Sequence, residues 1–284
     1  MLRRNRGALV GLCFVALEVV VAISAGAISP HDPLAQAITQ RLRPPLWVAD
    51  SGQSFILGTD QLGRDVLSRI IWGSRVSLII GVMAVLVSAP VGVALGLIAG
   101  YYGRSTDHVI MRLADIQLAF PFVLLAIAII AVLGPEPINI VLVLGISGWV
   151  LYARIVRGEV LTLKRQPFVE SARVLGLTDR LIMLRYLLPN VAATIIILAT
   201  IGLGAAILAE SALSFLGFGV PPPYPAWGAM LSGSGRTYMF RAPWMAIWPG
   251  VAISLAVFGF NMLGDALRDV LDPRLRGGGG RPVS

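Results

Sequence analysis

Six long runs of apolar residues constrain the fold of this sequence more than any other feature. A helix needs about 20 predominantly apolar residues to cross the hydrocarbon core of a bilayer. The runs approach or exceed that length and carry almost no charge, and they extend over Ala8–Ser29, Val76–Tyr102, Ile116–Gly134, Pro137–Ala153, Tyr186–Ala209 and Ala242–Gly264. The sequence therefore predicts an all-α polytopic membrane protein with six transmembrane helices.

The composition agrees with a membrane protein. Hydrophobic residues make up 56% of the 284 residues and charged residues only 13%, whereas a soluble domain carries roughly 25% charged residues. In a soluble chain, the formal net charge of +8 would indicate a nucleic-acid partner. In a membrane protein, the positions of the basic residues instead indicate the orientation of the helices. We therefore expect contact with membrane lipid and no nucleic-acid partner.

The positions of the basic residues predict which ends of the helices face the cytoplasm, because cytoplasmic loops carry an excess of Lys and Arg. With six spans, sixteen of the 23 basic residues fall on the side of the two termini, namely Arg3, Arg4, Arg6, Arg104, Arg112, Arg154, Arg157, Lys164, Arg165, Arg173, Arg180, Arg185, Arg268, Arg274, Arg276 and Arg281. Both termini are therefore expected in the cytoplasm.

The N-terminus has a second interpretation, as a secretory signal peptide. Three arginines within the first six residues precede an apolar run that contains Ala25, Gly26 and Ala27, an A-x-A cleavage pattern. The apolar run is longer than the ~7–15 residues usual in a signal peptide, and cleavage would leave only five spans. We therefore favour an uncleaved first helix.

One charged segment, residues 159–190, interrupts the apolar pattern. Seven charged side chains between Lys164 and Arg185 exclude this segment from the hydrocarbon core. Its sequence nevertheless predicts two short helices, the first opened by Pro167 and ended by Gly176, and the second capped by Thr178 or Asp179. Their expected apolar faces are Phe168, Ala172 and Leu175 in the first, and Leu181, Leu184 and Leu188 in the second. Such faces must dock on a partner surface, unless the segment lies on lipid headgroups as an ordinary amphipathic loop.

The charged segment resembles the EAA loop of binding-protein-dependent ABC importer permeases. That signature is E-A-A, three residues, G, nine residues, I, one residue and L-P, and the sequence departs from it only at Ser171, for the middle alanine, and Tyr186, for the isoleucine. Both departures retain small or bulky apolar character. The resemblance implies that the loop couples the permease to an ATP-hydrolysing subunit, through Glu170, Ser171, Ala172, Gly176, Leu177, Leu188 and Pro189.

Two further blocks narrow the resemblance to the C-type membrane subunit of the dipeptide/oligopeptide permease group, which also includes nickel and glutathione importers. The first block, Leu57–Asp65, reads LGTDQLGRD, and the second covers Asn261–Leu275. Simple physical chemistry interprets the first block as two glycine turns, with Thr59 or Asp60 capping a helix that leads into the second span. The resemblance covers nearly the whole chain and implies the type I ABC importer permease fold and a location in the bacterial inner membrane.

The resemblance also implies partners and cargo. The sequence has no G-x-x-x-x-G-K-[ST] motif, so we expect no cofactor in this chain and expect ATP and Mg²⁺ in partner subunits. The implied partners are a second homologous permease, two ATP-binding subunits and a periplasmic or lipoprotein substrate-binding protein. The implied cargo is dipeptides or short oligopeptides, with nickel chelates, glutathione and opine-like compounds as alternatives.

No catalytic or metal site is predicted. A G-x-S-G motif at residues 145–148 is typical of intramembrane proteases, but no histidine follows His108 to serve as the base. No Cys/His cluster suited to a metal is evident. We therefore expect a transport subunit rather than an enzyme.

Two polar residues, Glu210 at the end of the fifth apolar run and Asn261 within the sixth, are candidates for a translocation pathway. An ionisable group is costly in a membrane unless it faces protein or water, and structural hydrogen bonds to neighbouring helices are the alternative role. The alternative class is an ion-coupled secondary transporter, which uses intramembrane carboxylates or histidines, but only Glu18 and Glu210 qualify and no half-to-half repeat is evident.

The predicted organisation has three parts. Residues 1–75 form an N-terminal transmembrane helix and a periplasmic segment, residues 76–268 form the permease core with its coupling loop at 159–190, and residues 269–284 form a cytoplasmic tail. The proline-rich stretch 211–235 is expected to be a loop or a broken segment.

Overall fold

The structure, a computed structural model, describes residues 6–49 and 52–271, and it is almost entirely helical. In the described residues, five helices are long and apolar enough to cross a membrane. They are α1 (Arg6–Ile28), α2 (Val66–Tyr102), α5 (Pro137–Leu163), α8 (Leu188–Phe215) and α10 (Trp244–Leu271). The predicted all-α, multi-pass architecture is confirmed.

The third predicted span is a bent pair of helices. α3 (Arg104–Ala119) and α4 (Phe122–Leu133) meet at an angle of 88°, because Pro121 disfavours a helical conformation at Phe120, which is extended. The prediction of one helix beginning at Ile116 is therefore wrong, since α3 is amphipathic and only α4 is apolar throughout. The 12 residues of α4 are about 18 Å long, so the count of six spans holds only when the bent pair is taken as one.

α2 begins well before the apolar run that predicted it, at Val66 rather than Val76. Its cap is Asp65, whose carboxylate accepts a hydrogen bond from the backbone N–H of Ser68 at 2.9 Å. The expected caps, Thr59 and Asp60, are wrong. Both side chains are instead buried in the turn before the helix.

The segment between α1 and α2 folds into a compact unit against the helices. It contains a 3-10 turn (Ile38–Gln40) and an antiparallel pair of short strands, β1 (Trp47–Val48) and β2 (Ser54–Phe55). The indole N–H of Trp244, at the start of α10, donates to the carbonyl oxygen of Thr59 at 3.1 Å. This unit therefore lies at the end of the bundle where α10 begins.

The charged segment lies at the opposite end of the bundle and contains α6 (Pro167–Val174) and α7 (Asp179–Ile182). A π-helical turn (Met183–Leu187) joins α7 directly to α8, so the second predicted helix is the extension of a membrane helix rather than a separate element. Pro189 lacks an N–H and crowds the carbonyl four residues before it, and a wider π turn accommodates both effects.

Close packing of α2 against α5 forms the centre of the bundle. Gly92, Gly96 and Gly100 of α2 let the backbone of α5 approach, and a Cβ on Gly92 would lie 2.3 Å from the carbonyl oxygen of Trp149. α8 packs on α2 and α10, and α1 packs on α10 and α2. After α8, the proline-rich stretch forms only α9 (Trp227–Met230) and a π turn (Leu231–Gly235).

Several sequence predictions concern residues or boundaries that the described structure does not test. Arg3, Arg4, Arg274, Arg276 and Arg281 lie outside the described residues, as does most of the predicted tail at 269–284. The three-part division stays a prediction, although α2 and α10 each continue across one of its boundaries.

Candidate functional site

The first helix of the charged segment, α6, ends in a turn at Gly176. Gly176 has a φ of +75°, a conformation that favours glycine. The N–H of Leu177 donates to the carbonyl of Ala172 at 3.1 Å and that of Gly176 to Arg173 at 2.9 Å, which is the Schellman pattern of a helix C-terminus. The prediction that Pro167 opens α6 and Gly176 ends it is confirmed.

The face that α6 buries differs from the predicted one. Val169 and Ala172 are buried, whereas Phe168 and Leu175 are 38% and 77% exposed. Val174 is 88% exposed and lies beside Leu175. The predicted face is therefore wrong in two of its three members, since so short a helix offers two apolar faces and the sequence does not show which one contacts the bundle.

The second predicted face is also only partly right. Of the predicted residues, Leu181 is half-buried, Leu184 is half exposed, and Leu188 packs at the edge of a buried cluster. The fully buried residues of that cluster in this part of the chain are Ile182 and Leu187. The π turn adds a residue to the helical repeat and so rotates the buried face. The prediction assumed a regular α-helical period and therefore missed the two residues that are fully buried.

A continuous apolar column connects α6 with the middle of the bundle. The cluster contains Val169 and Ala172 of α6, a row of residues on α2 and another on α5, which together are Val85, Ala89, Val93, Leu97, Tyr101, Tyr152, Val156 and Val160. Because side chains in such a cluster are close-packed, a shift at one end is transmitted through contacts rather than absorbed.

Polar contacts tie the helix ends around α6 to one another. Lys164 Nζ donates to the carbonyl of Gly100 at 2.7 Å, and Thr194 Oγ1 donates to Glu159 Oε1 at 2.6 Å. Burial, and next the neighbouring guanidinium groups of Arg173 and Arg165, lower the pKa of Lys164 below its ordinary value. The ends of α2, α5 and α8 are therefore joined beneath α6.

The predicted coupling residues gather at this end of the bundle. Ala172 is buried, Leu177 and Leu188 are half-buried against the column, and the others are exposed, namely Glu170, Ser171, Gly176 and Pro189. The charged segment therefore exposes the polar residues Glu170 and Ser171, and it also exposes three large apolar side chains of α6 and its end, which we call the apolar tip, namely Phe168, Val174 and Leu175. Their role in coupling stays a prediction.

A cavity of about 290 Å³ lies between α2, α5, α8 and the α3–α4 bend. Its wall is mostly apolar and includes small residues of α8, and its polar side chains are hydroxyls; the lining includes Ser88, Ser147, Tyr152, Gly202, Ala205 and Ala206. Tyr152 and Val85 belong both to the cavity wall and to the apolar column. The column therefore reaches from α6 to this cavity.

Neither predicted pathway residue lines this cavity, and their role in a translocation pathway stays a prediction. Glu210 is fully buried and accepts hydrogen bonds from Ser214 Oγ at 2.6 Å and Ser211 Oγ at 3.4 Å, and its neighbour Ala209 lines the cavity instead. Asn261 is on an exposed face of α10. The sequence analysis did not select the cavity residues Ser147 and Tyr152. The available signal was the presence of hydroxyl and small residues within two apolar runs.

Two family models match the chain. One, described as "Binding-protein-dependent transport system inner membrane component", matches residues 92–277, and the other, described as "N-terminal TM domain of oligopeptide transport permease C", matches residues 1–45. The chain therefore belongs to the inner-membrane permease subunits of binding-protein-dependent ABC importers. Within them it groups with the C-type subunits of the dipeptide/oligopeptide permeases, as the sequence blocks predict.

Curated relatives are similar along almost their full length. The di/tripeptide transport system permease protein DppC of Pseudomonas aeruginosa is 45% identical over 96% of this chain and 89% of the relative. The dipeptide transport system permease protein DppC of Alkalihalophilus pseudofirmus is 42% identical over 97% and 88%. The glutathione transport system permease protein GsiD of Escherichia coli is 44% identical over 97% and 89%.

Proposed function

We propose that this chain forms half of the membrane pore of an ATP-driven importer of dipeptides or short oligopeptides, with both termini and the charged segment in the cytoplasm. Its partners are a second homologous permease, two ATP-binding subunits that hold ATP and Mg²⁺, and a substrate-binding protein outside. The observation that carries this proposal is the apolar tip of α6, which is exposed outside the bundle on the same helix whose Val169 and Ala172 belong to the column that reaches the cavity.

The apolar tip consists of Phe168, Val174 and Leu175. Large apolar side chains grouped on a surface that water reaches mark a site of interaction with another protein. Seven charged side chains surround this tip in the sequence, which makes burial in hydrocarbon costly. A cleft in an ATP-binding subunit is the partner surface that fits an apolar tip with a charged rim.

The column supplies the connection between ATP and the cavity. Closure of the ATP-binding pair moves α6, and the packed column carries that displacement to α2 and α5, whose side chains line the cavity. Alternating access requires a free-energy difference between two states that depends on a ligand. ATP binding provides that difference at α6, and the substrate-binding protein provides it on the other side.

The chemistry of the cavity supports short peptides as cargo. Its polar lining consists of hydroxyl groups, which donate to or accept from a peptide backbone without selecting the charge of a side chain. The substrates in the names of the relatives, di- and tripeptides and glutathione, are all small molecules of similar size. Glutathione is the second candidate, because a relative that is 44% identical carries that name.

Reconstitution of the complete transporter tests this proposal. Proteoliposomes that contain both permeases and the ATP-binding subunits should take up labelled dialanine only when ATP and the loaded substrate-binding protein are both present. Unlabelled dipeptides should compete with uptake, and glutathione should compete less. Stronger competition by glutathione would indicate that glutathione, the second candidate, is the cargo. Uptake driven by an ion gradient without ATP would contradict the proposal.

Filling the cavity should slow uptake without disturbing assembly. In Ala205→Phe, a ring replaces a methyl group in the cavity wall, so we expect the maximal rate of dipeptide uptake to fall several-fold. Leu208→Phe on the same helix is the matched control, since Leu208 is 53% exposed and does not line the cavity. Equal rates for the two variants, with equal amounts of assembled complex, would exclude this cavity from the pathway.

A further inference from the structure

The last turn of α2 carries a tyrosine that contacts both helices of the charged segment. The Tyr101 hydroxyl donates a hydrogen bond to Asp179 Oδ1, in the first turn of α7, at 2.6 Å. The guanidinium of Arg173, in α6, lies over the Tyr101 ring at 5.2 Å from its centroid. One side chain therefore joins the end of a membrane helix to two elements that lie more than 70 residues further along the chain.

These contacts differ in kind from the apolar packing beside them. Val169 and Ala172 hold α6 through burial, which has no preferred direction. A hydrogen bond of 2.6 Å to a carboxylate is directional and charge-assisted. It therefore fixes the register of α6 and α7 against the end of α2.

No other side chain of the described part provides an equivalent polar link. Among residues 6–49 and 52–271, the side-chain hydrogen bond and the cation–π contact between the α6–α7 pair and the membrane helices both involve Tyr101. The neighbouring link from Lys164 to Gly100 lies before α6 and joins α5 to α2. Separation of the Tyr101 hydroxyl from Asp179 would thus leave the α6–α7 pair held by apolar contacts and by the contact of Arg173 with the Tyr101 ring.

We propose that Tyr101 is a positioning residue, a latch that transmits the movement of α6 to α2 during transport. The inference rests on the proposed function, in which α6 receives the movement of an ATP-binding subunit. From Tyr101 the same face of α2 continues through Leu97 and Val93 to Val85 in the cavity wall. The 16 residue steps from Tyr101 back to Val85 correspond to about 24 Å of helix, long enough to carry a displacement from the latch to the cavity.

Substitutions at the two ends of the hydrogen bond test the latch in the complete reconstituted transporter. Tyr101→Phe removes the donor and keeps the ring, Asp179→Ala removes the acceptor, and Asp179→Asn keeps an acceptor oxygen. The measurements are the stimulation of ATP hydrolysis by the loaded substrate-binding protein and the amount of dipeptide taken up for each ATP hydrolysed. Tyr102→Phe is the matched control, because Tyr102 is adjacent and 49% exposed.

We expect Tyr101→Phe and Asp179→Ala each to reduce uptake for each ATP by roughly tenfold, the ratio that loss of one charge-assisted hydrogen bond produces. The double variant should be no worse than either single variant, since both remove the same bond. Asp179→Asn should fall between wild type and Asp179→Ala, because a neutral hydrogen bond is roughly half as strong as a charge-assisted one. Tyr102→Phe should stay close to wild type, and all variants should retain their ATP-binding subunits on purification.

Three results would overturn the latch. The first is a Tyr101→Phe transporter that couples normally, and the second is an additive loss in the double variant. The third is an Asp179→Asn variant as defective as Asp179→Ala, because that result would attribute the effect to the charge at the start of α7. Each of these leaves the proposed function intact if wild type is stimulated by the binding protein. A wild-type complex that shows no such stimulation would instead reject the proposed function itself.

Discussion

Gly92→Val is expected to abolish accumulation of the folded subunit. An added Cβ at this position would lie 2.3 Å from the carbonyl oxygen of Trp149 and 2.6 Å from the Cβ of Tyr152. Neither atom belongs to a flexible side-chain end, so α2 and α5 would have to separate. Overpacking of a core typically costs about 1–3 kcal/mol, and a clash with backbone in the central helix pair lies at the upper end of that range.

The measurement is the amount of monodisperse subunit extracted from membranes, compared with wild type. Gly158→Val is the matched control, because Gly158 lies on α5 and an added Cβ there has no atom within 4 Å. The control should accumulate normally while Gly92→Val disappears. Equal accumulation of the two variants would mean that α2 and α5 do not pack as closely as the structure shows.

Gly176→Val is expected to reduce uptake by about tenfold while the subunit still inserts. The φ of +75° at Gly176 costs an L-residue roughly 1–2 kcal/mol, and a β-branched residue tolerates it least. The turn would relax toward another conformation and displace the apolar tip from its position beside Gly176. Since about 1.4 kcal/mol corresponds to a factor of ten, the population with α6 correctly placed should fall by that order.

Gly176→Asn separates backbone strain from side-chain bulk. Asparagine adopts the left-handed conformation more readily than valine does, and a Cβ on Gly176 would meet no atom within 4 Å. The asparagine variant should therefore retain most of the uptake and most of the stimulation of ATP hydrolysis. If both variants lost uptake equally, the required feature would be the absence of a side chain, as expected of direct contact with a partner.

The apolar runs were sufficient to predict the membrane architecture, because the cost of exposing backbone and charge to hydrocarbon permits few alternatives. The charged segment was recognisable for the same reason. Proline and glycine marked the ends of α6 correctly, since the missing N–H of Pro167 and the positive φ of Gly176 are local properties. Such features depend on neighbouring residues alone and are therefore visible in the sequence.

Features that depend on tertiary contacts were predicted less well. The bend at Pro121 turned one expected span into a bent pair, because an apolar run of suitable length does not show how its first turn packs. The buried face of α6 was assigned to Phe168 and Leu175, whereas packing on α2 and α5 selects Val169. The cap of α2 was expected at Thr59 or Asp60, but the preceding turn buries both and leaves Asp65 at the start of the helix.

The lining of the cavity also depends on tertiary contacts. Glu210 was selected because a carboxylate at the end of an apolar run is costly, and the structure shows that it accepts hydrogen bonds from Ser211 and Ser214 inside the bundle; its role in a pathway stays a prediction. The cavity is lined by Tyr152 and by small residues whose chemistry does not stand out in the sequence. Only the relative rotation of α5 and α8 brings these residues together.

Cross-linking from the tip of α6 tests the central claim most directly. A photoreactive phenylalanine analogue at Val174, which is 88% exposed, should form an adduct with an ATP-binding subunit when intact cells are illuminated. The same analogue at Phe240, which is 98% exposed before α10, should not. Adducts of Val174 with lipid or with the substrate-binding protein would contradict the account.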